Sequence, residues 1–292
     1  MADLRLQKLS IEAISDMEIT FPLSADALLK LAPVAQNGAG YPTSQLQKGL
    51  VLISAGQELA EEGVGFGVPL LKFGLKTIFP GAIELSDRKE SQEITAVYHL
   101  NLEERLIGRN RRSLRSVPLY RIKNRLEDLY RRFPVTRQLL TALSNVMRWG
   151  FSWRNIYESA GCDYPLRVHY TVDSQLGIIG VELDFSKLPE HGLTEVVVMN
   201  EQGAHYFDTY TDSRGTLLQG EAIGGWDEVT AENASFLSRS HQLIFTLPRI
   251  EGARLFRGRE LIGTRLAWAG FGYSFAPISQ HVAYKLKIER LP

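Results

Sequence analysis

Apolar and polar residues alternate along two neighbouring stretches of the chain, 166–173 and 178–185. This alternation is typical of β-strands that have one buried face and one exposed face. If residues 174–177 form a hairpin connection, counting back from the turn places Asp173 opposite Ile178. The resulting register puts polar side chains on one face and apolar side chains on the other, which supports it independently. It also places Arg167 opposite Asp184 and His169 opposite Glu182.

Similar patterns occur elsewhere in the second half of the sequence. Residues 281–289 alternate as a final half-exposed strand. A second hairpin is predicted from strands at 194–199 and 204–211, joined by residues 200–203. Many antiparallel strands at short spacing are typical of a sandwich. We therefore predict a mainly β protein, built as one large antiparallel β-sandwich or as two packed β units.

Residues 63–81 contain the tightest glycine spacing in the sequence. The stretch lacks both the third glycine of a dinucleotide-binding loop and the Gly-Lys-Ser/Thr ending of a phosphate loop, so it predicts no nucleotide site. Two short strands around Gly74 form the expected hairpin, and Pro69 argues against a central strand position. A tightly packed hairpin, whose glycines let strands cross closely, is the favoured interpretation. The alternative is a ligand that approaches the glycine backbone, with Lys72 and Lys76 supplying charge.

Helical spacing of apolar residues begins at Pro118 and continues to about residue 150. It predicts an inserted pair of amphipathic helices, broken by Pro134. One or two helical turns are also expected at 24–31, with Ser24 as the N-cap. The predicted organisation is an N-terminal β-rich part at 1–116, a basic helical insertion at 117–157, and a C-terminal antiparallel β part at 158–292 that shares one core with the first.

Positive charge is concentrated in the middle of a chain whose formal net charge is zero. Residues 105–154 hold thirteen basic and only two acidic residues. They could meet an anionic membrane surface, acidic sugars, nucleic acid, or the acidic remainder of the same chain. Overall neutrality favours the last of these and disfavours nucleic acid. The arginines expected to carry an anionic docking surface are Arg121, Arg125, Arg131 and Arg132.

The single cysteine, Cys162, excludes an intrachain disulfide and a cysteine-based zinc site. The first fourteen residues lack the apolar core of a signal peptide, and no apolar run approaches a membrane span. We therefore expect a cytoplasmic protein with no transmembrane segment. No His-x-x-x-His pattern is present, so neither a metal nor a cofactor is predicted.

The pair His169–Glu182 is the sharpest chemical prediction, because a carboxylate opposite a histidine supports general acid–base chemistry. Two ion pairs on a solvated sheet face are the simpler interpretation.

A dense polar and aromatic run follows at 205–212, where tyrosine rings and carboxylates could bind sugar hydroxyls. Trp226 and Trp268 are expected in packing rather than in ligand binding. Paired carboxylates for glycoside cleavage could come from Glu61, Glu62, Glu182 and Asp208.

Two functional hypotheses follow, and the sequence leaves open whether the protein is an enzyme. By analogy at the level of fold, the first is a carbohydrate-binding or carbohydrate-processing protein, which uses a concave sheet face and accepts a sugar or an acidic small ligand. The alternative is a non-enzymatic protein that docks on an anionic membrane surface or partner through the basic helices. The residues predicted for the first are His169, Glu182 and Tyr206 in catalysis, and Arg167, His205, Asp208, Tyr210 and Lys72 in ligand binding.

Overall fold

The structure, a computed structural model, describes residues 19–24, 27–31, 46–74, 76–89, 92–107, 154–189, 191–262, 266–276, 278 and 280–291. Within these residues the chain forms β-strands and one 3-10 turn, Gly220–Ile223. The strands are β1 Ile19–Ser24, β2 Ala27–Leu31, β3 Leu50–Ser54, β4 Gln57–Glu58, β5 Gly65–Phe73, β6 Lys76–Lys89, β7 Glu93–Ile107, β8 Arg154–Asp173, β9 Ile178–Asp184, β10 Glu195–Gln202, β11 Thr209–Asp212, β12 Leu217–Gln219, β13 Asp227–Val229, β14 Asn233–Ser238, β15 Leu243–Pro248, β16 Arg254–Ile262, β17 Leu266–Phe275 and β18 His281–Arg290.

The hairpin predicted from alternation is confirmed as β8 and β9. Arg167 lies opposite Asp184 and His169 opposite Glu182, in the register counted from the sequence. Val168, Tyr170 and their partners across the ladder are buried, whereas Arg167 and Glu182 are exposed. The final strand β18 is likewise half-exposed, with alternate residues buried. A period of two therefore identified these strands and the faces they bury.

The strands pair into two antiparallel layers. The first layer runs β13–β16–β17–β10–β5 and continues into the start of β6, the end of β7 and the start of β8. The second layer runs β12–β11–β14–β15–β18–β9 and continues into the remaining parts of those long strands. Register shifts near Pro80 and between Leu100 and Leu102 mark where the long strands pass from one layer to the other. The prediction of a mainly β, antiparallel sandwich is confirmed.

Aromatic side chains join the two layers in one core. Phe66 of the first layer meets Phe245 of the second with ring centroids 5.3 Å apart. Phe271 packs edge-on against Phe236 at 4.9 Å, and Tyr273 packs against Tyr284 at 4.8 Å. Phe66, Phe236, Phe245 and Phe271 are all fully buried. Because each ring removes a large apolar area from water, these contacts hold the layers face to face.

A smaller apolar cluster covers the opposite side of the first layer, which we call its outer face. Alternation along β10 sends Val196 and Val198 into the main core and Val197 and Met199 to this outer face. The outer cluster consists of Leu46, Val64, Val68, Leu70, Val197 and Met199. Its members are 0–9% exposed, so the middle of the first layer is buried on both faces.

The glycine-rich hairpin is also confirmed, as β5 and β6 around Gly74. Gly67 has a positive φ of 77°, and a Cβ there would lie 2.7 Å from Tyr170 Cε1, so close packing explains this glycine. The strand itself is more central than Pro69 suggested, since β5 pairs with β10 across this position. On its other edge β5 pairs with β3 at Phe66 and with β6 from Leu71 onwards. Pro69 falls between these two pairings, where its missing N–H is tolerated.

Two local predictions are wrong. Residues 27–31 form the strand β2 and not a helix, because they pair with β1 and β3 and bury alternate side chains. The hairpin predicted at 194–211 does not form, since β10 pairs with β5 and β17 while β11 pairs with β12 and β14. The chain between β10 and β11 turns instead of continuing as a strand.

The predicted helix pair at 118–150 lies outside the described residues. Among the residues that the structure describes, no helix has the length and apolar character needed to cross a membrane.

Replacing Gly67 by alanine is expected to lower the free energy of unfolding by about 2–4 kcal/mol. The new methyl group meets the ring of Tyr170, which is buried and donates to the carbonyls of Phe66 and Gly67. Gly74→Ala is the matched control, because Gly74 also has a positive φ, 63°, but its Cβ would meet nothing within 4 Å. It should lose only about 1 kcal/mol. Chemical denaturation of both variants measures the difference, and equal losses would show that the contact with Tyr170 is unimportant.

Candidate functional site

The residues predicted to form the site lie in four separate places. Arg167, His169 and Glu182 occupy the solvent side of the second layer. His169 Nδ1 lies 2.9 Å from Thr95 Oγ1 on the neighbouring strand β7. Hydrogen bonds from Ser186 lower the pKa of Asp184, and the charge of Arg167 acts in the same direction. The register across β8 and β9 is as predicted, with Arg167 opposite Asp184 and His169 opposite Glu182.

Lys72 and Tyr210 do not belong to that face. Lys72 lies on β5, where its Nζ is 2.9 Å from Glu195. Tyr210 is fully buried, donates to Asp212 Oδ2 at 2.9 Å, and carries the guanidinium of Arg257 4.7 Å from its ring centre. Burial raises the pKa of Tyr210, and its hydrogen bond to Asp212 acts in the same direction. These contacts give Tyr210 a structural role in the core.

The turn after β10 brings His205 and Tyr206 against residues of the turn after β4. Glu61 Oε1 lies 2.7 Å from His205 Nδ1, and the backbone N–H of His205 donates to Glu61 Oε2 at 3.1 Å. One carboxylate therefore fixes both the imidazole ring and the backbone that carries it. The resulting surface, which we call the Glu61 patch, comprises Gln57, Glu61, His205, Tyr206 and His241.

Tyr206 is held in this patch by an amide and a second imidazole. Gln57 Nε2 donates to the Tyr206 hydroxyl at 2.6 Å. The His241 ring stands nearly perpendicular to the tyrosine, with centroids 5.2 Å apart and planes at 79°. Partial burial raises the pKa of Tyr206, and the charge of Glu61 raises it further. Asp208, two residues along the chain, is exposed and accepts a bond of 2.9 Å from Thr209 Oγ1.

The backbone conformation at Glu61 and the lack of a side chain at Gly203 allow the Glu61 carboxylate to lie close to His205. Glu61 has a positive φ of 48°, a conformation that costs a non-glycine residue about 1–3 kcal/mol. Gly203 faces the Glu61 carboxylate so closely that any Cβ there would collide with it. The N–H of Gly203 in turn donates to Leu59 O at 2.7 Å. Glu61, whose carboxylate holds His205 in the patch, therefore adopts a strained backbone conformation.

A second group of ionisable residues lies on the outer face of the first layer. Glu201 is 5% exposed and accepts a hydrogen bond of 3.3 Å from the N–H of Val64. Burial raises its pKa to about 8, and the nearby charge of Glu260 contributes. Burial also raises the pKa of Glu62 and, together with the charges of Glu104, Glu201 and Glu62, that of Tyr157. We call Glu62, Glu104, Tyr157, Glu201 and Glu260 the Glu201 cluster.

Two tryptophans stack beside this cluster. Trp226 and Trp268 lie 4.9 Å apart with ring planes at 17°. A Cβ on Gly258 would lie 2.8 Å from Trp268, so the absence of a side chain there makes room for the indole. Trp226 packs against the outer cluster. The expectation that these tryptophans serve packing agrees with these contacts.

Sequence reasoning missed Glu201 as a site residue and placed it in a turn. The signal that could have found it is the apolar run Val196–Met199 immediately before it, which predicts a strand buried on both faces. A carboxylate that continues such a strand is a candidate for a perturbed pKa. Glu61 and Glu62 were found as possible carboxylates, but their partners depend on a turn that has no sequence period.

Among the described residues, no group of three or more histidine, cysteine, aspartate or glutamate side chains is arranged to hold a metal ion.

Replacing Glu201 by glutamine is expected to change how stability depends on pH. A carboxyl group whose pKa rises from 4.5 to about 8 on folding stabilises the native state below pH 4.5, and this contribution is lost as the pH rises through about 8. The wild-type protein should therefore lose about 2–4 kcal/mol of unfolding free energy between about pH 5 and pH 9 relative to Glu201→Gln. Denaturant titrations across this range measure the difference. The exposed control Glu182→Gln should follow the wild type, and parallel curves for all three proteins would contradict a buried, neutral Glu201.

Comparison with known proteins assigns no family to the chain. No family model matches the sequence, and no curated protein matches it. Among solved structures, an alpha-N-acetylgalactosaminidase from Bifidobacterium bifidum in complex with GalNAc matches with a TM-score of 0.48 and 10% identity, over 93% of this chain and 36% of that one. A galactose mutarotase-like protein from Lactobacillus casei matches with a TM-score of 0.40 and 12% identity, over 94% and 99% of the two chains. The chain spans about a third of the length of the galactosaminidase. Likeness at these TM-scores and identities assigns no activity to this protein.

Proposed function

We propose that the protein binds a carbohydrate at the Glu61 patch, and that His205 exchanges a proton with a hydroxyl group of the ligand. The observation that carries this proposal is the two-point contact of Glu61 with His205, at 2.7 Å to the ring and 3.1 Å to the backbone N–H. It fixes a titratable ring at the surface, beside a tyrosine whose own position is fixed by Gln57.

The chemistry of the patch suits a ligand with many hydroxyl groups. An amide, a carboxylate, an imidazole and a phenol together offer both donors and acceptors. The half-buried ring of Tyr206 adds an apolar surface of the kind that packs against a sugar ring. Gln57 and His205 are exposed, so a ligand can reach them without rearrangement of the core.

The proposed role of His205 follows from which ring nitrogen Glu61 engages. Nδ1 faces the carboxylate, so Nε2 is the nitrogen that can meet a ligand hydroxyl. A carboxylate at Nδ1 orients the ring so that Nε2 faces the ligand. The side chain of His205 is 49% exposed, which leaves room for that contact.

The proposed site retains only some of the residues predicted from the sequence. His205 and Tyr206 belong to it, and Asp208 lies on the same connection between β10 and β11. Arg167, His169 and Glu182 lie on the second layer and form no part of this proposal. The alternative function, docking on an anionic surface, depends on arginines that lie outside the described residues, and it stays a prediction.

Binding to a glycan panel, followed by titration of any glycan that binds, tests the proposal. Tyr206→Ala removes the ring and Gln57→Ala removes its hydrogen-bond donor. Each should weaken binding by about tenfold or more. His169→Ala is the matched control, since it removes a histidine from the solvent side of the second layer, and its affinity should equal that of the wild type.

Loss of binding in His169→Ala with full binding in Tyr206→Ala would move the site to the β8–β9 face. Absence of any glycan that binds the wild-type protein would contradict the proposal itself.

A further inference from the structure

A buried lysine contacts the turn that carries Glu61. The side chain of Lys48 is only 4% exposed. Its ammonium group donates to the carbonyl of Glu61 at 2.7 Å and to Glu58 Oε1 at 3.2 Å. An ammonium ion loses favourable hydration when it is buried, so an apolar residue would fill this position at a lower cost in free energy. The presence of a charge here indicates that its contacts with the turn are important.

The backbone that carries Lys48 is fixed on both sides. Lys48 lies two residues before β3. The N–H of Gln47 donates to Pro80 O, and the N–H of Gly49 donates to Val64 O, each at 2.8 Å. The ammonium group of Lys48 therefore extends from a rigid support.

Glu61 depends on such a support because of its backbone conformation. Its φ of 48° is a conformation that is higher in energy for a glutamate than the extended or helical conformations. Two residues further on, the N–H of Gly63 is held by Ala60 O at 2.7 Å. Among the described residues, only Lys48 donates a hydrogen bond to the carbonyl of Glu61. Lys48 is therefore the contact that holds this peptide group in its strained conformation.

The charge of Lys48 also acts on the acidic side chains of the turn. Glu58, Glu61 and Glu62 lie within five residues of sequence, and their negative charges repel one another. Burial raises the pKa of Glu62, the charge of Lys48 opposes that rise, and the charge of Glu61 adds to it. A neutral donor would satisfy the carbonyl of Glu61 but would leave the repulsion between the carboxylates unopposed.

We propose that Lys48 is a positioning residue for the Glu61 patch. Its ammonium group holds the carbonyl of Glu61, and this keeps the carboxylate of the same residue on the ring and the backbone N–H of His205. Lys48 acts through Glu61 and does not contact the ligand itself. Its consequence for ligand binding rests on the proposed function, whereas the positioning of His205 can be measured without any ligand.

Amide hydrogen exchange at His205, followed by NMR, tests the positioning directly. The N–H of His205 donates to Glu61 Oε2, so its exchange rate reports whether that carboxylate is in place. Lys48→Met removes the charge and the donor but keeps an unbranched side chain in the core. In this variant the His205 amide should exchange about tenfold faster than in the wild type, close to its rate in Glu61→Ala, where the carboxylate is absent.

Two controls separate positioning from general loosening of the structure. The N–H of Phe207 donates to Gly203 O at 3.0 Å within the same turn, and its exchange rate should be the same in Lys48→Met as in the wild type. Lys76→Met removes another lysine, whose Nζ lies 3.1 Å from the buried carboxylate of Glu103. This control should leave the exchange rate of His205 at its wild-type value.

The effect on binding is measured with the glycan of the panel that the wild-type protein binds most tightly. Lys48→Met should weaken this binding about fivefold. The same substitution should have no further effect in a Glu61→Ala background, because Lys48 acts through Glu61. Equal weakening in the two backgrounds would give Lys48 a role independent of Glu61 and would overturn the proposal.

An unchanged exchange rate at His205 in Lys48→Met, or equal acceleration at His205 and Phe207, would also overturn it. Lys48→Gln, whose side chain is shorter than that of lysine and carries no charge, repeats the comparison with a polar residue and should give the same increase at His205. Absence of any glycan that binds the wild-type protein would contradict the carbohydrate proposal alone, because the exchange rates are measured without ligand.

Discussion

Burial of the first layer on both faces is the constraint on which the rest of this molecule depends. Strand β10 lies at its centre between β5 and β17, and residues 196–202 are all buried. Such a strand cannot place polar side chains in water, so each polar group on it must find a partner within the protein. The side chains of Asn200, Glu201 and Gln202, which follow the apolar run, accept hydrogen bonds from the surrounding chain, although Gln202 Nε2 has no partner among the described residues.

Those polar residues fasten the surrounding backbone to the layer. Asn200 Oδ1 accepts bonds from the N–H of Gly67 at 3.1 Å and from the hydroxyl of Tyr284 at 2.8 Å. Gln202 Oε1 accepts the N–H of Leu52 at 3.2 Å, and Glu201 accepts that of Val64. The loop before β5 is therefore held against the end of β10. The turn that follows β10 places His205 next to Glu61. The position of the Glu61 patch therefore depends on the buried hydrogen bonds at the end of β10.

Sequence reasoning succeeded where one face of a strand is exposed. Polar and apolar residues alternate clearly in the β8–β9 hairpin and in β18, because every second side chain faces solvent. At 196–199 every residue is apolar, so the partners of β10 could not be deduced from alternation. The prediction for residues 27–31 was wrong for a related reason. A short apolar run fits either a helix or a strand until its pairing partners are known. Tertiary pairing determined the structure of both segments.

The two candidate sites differ in how far the sequence could lead to them. Glu61, His205 and Tyr206 were each recognised as chemically useful, but their meeting depends on a turn held by Gly203. Glu201 was missed because residues 200–203 were predicted to be a hairpin turn, although the apolar run before them indicates a strand buried on both faces. Burial on the outer face is the central claim of this account. Its most direct test is the reactivity of a Met199→Cys thiol in a Cys162→Ser background. In the native protein this thiol should react with a maleimide at least about a hundredfold more slowly than in denaturant, whereas reaction at the rate of a free thiol would contradict the claim.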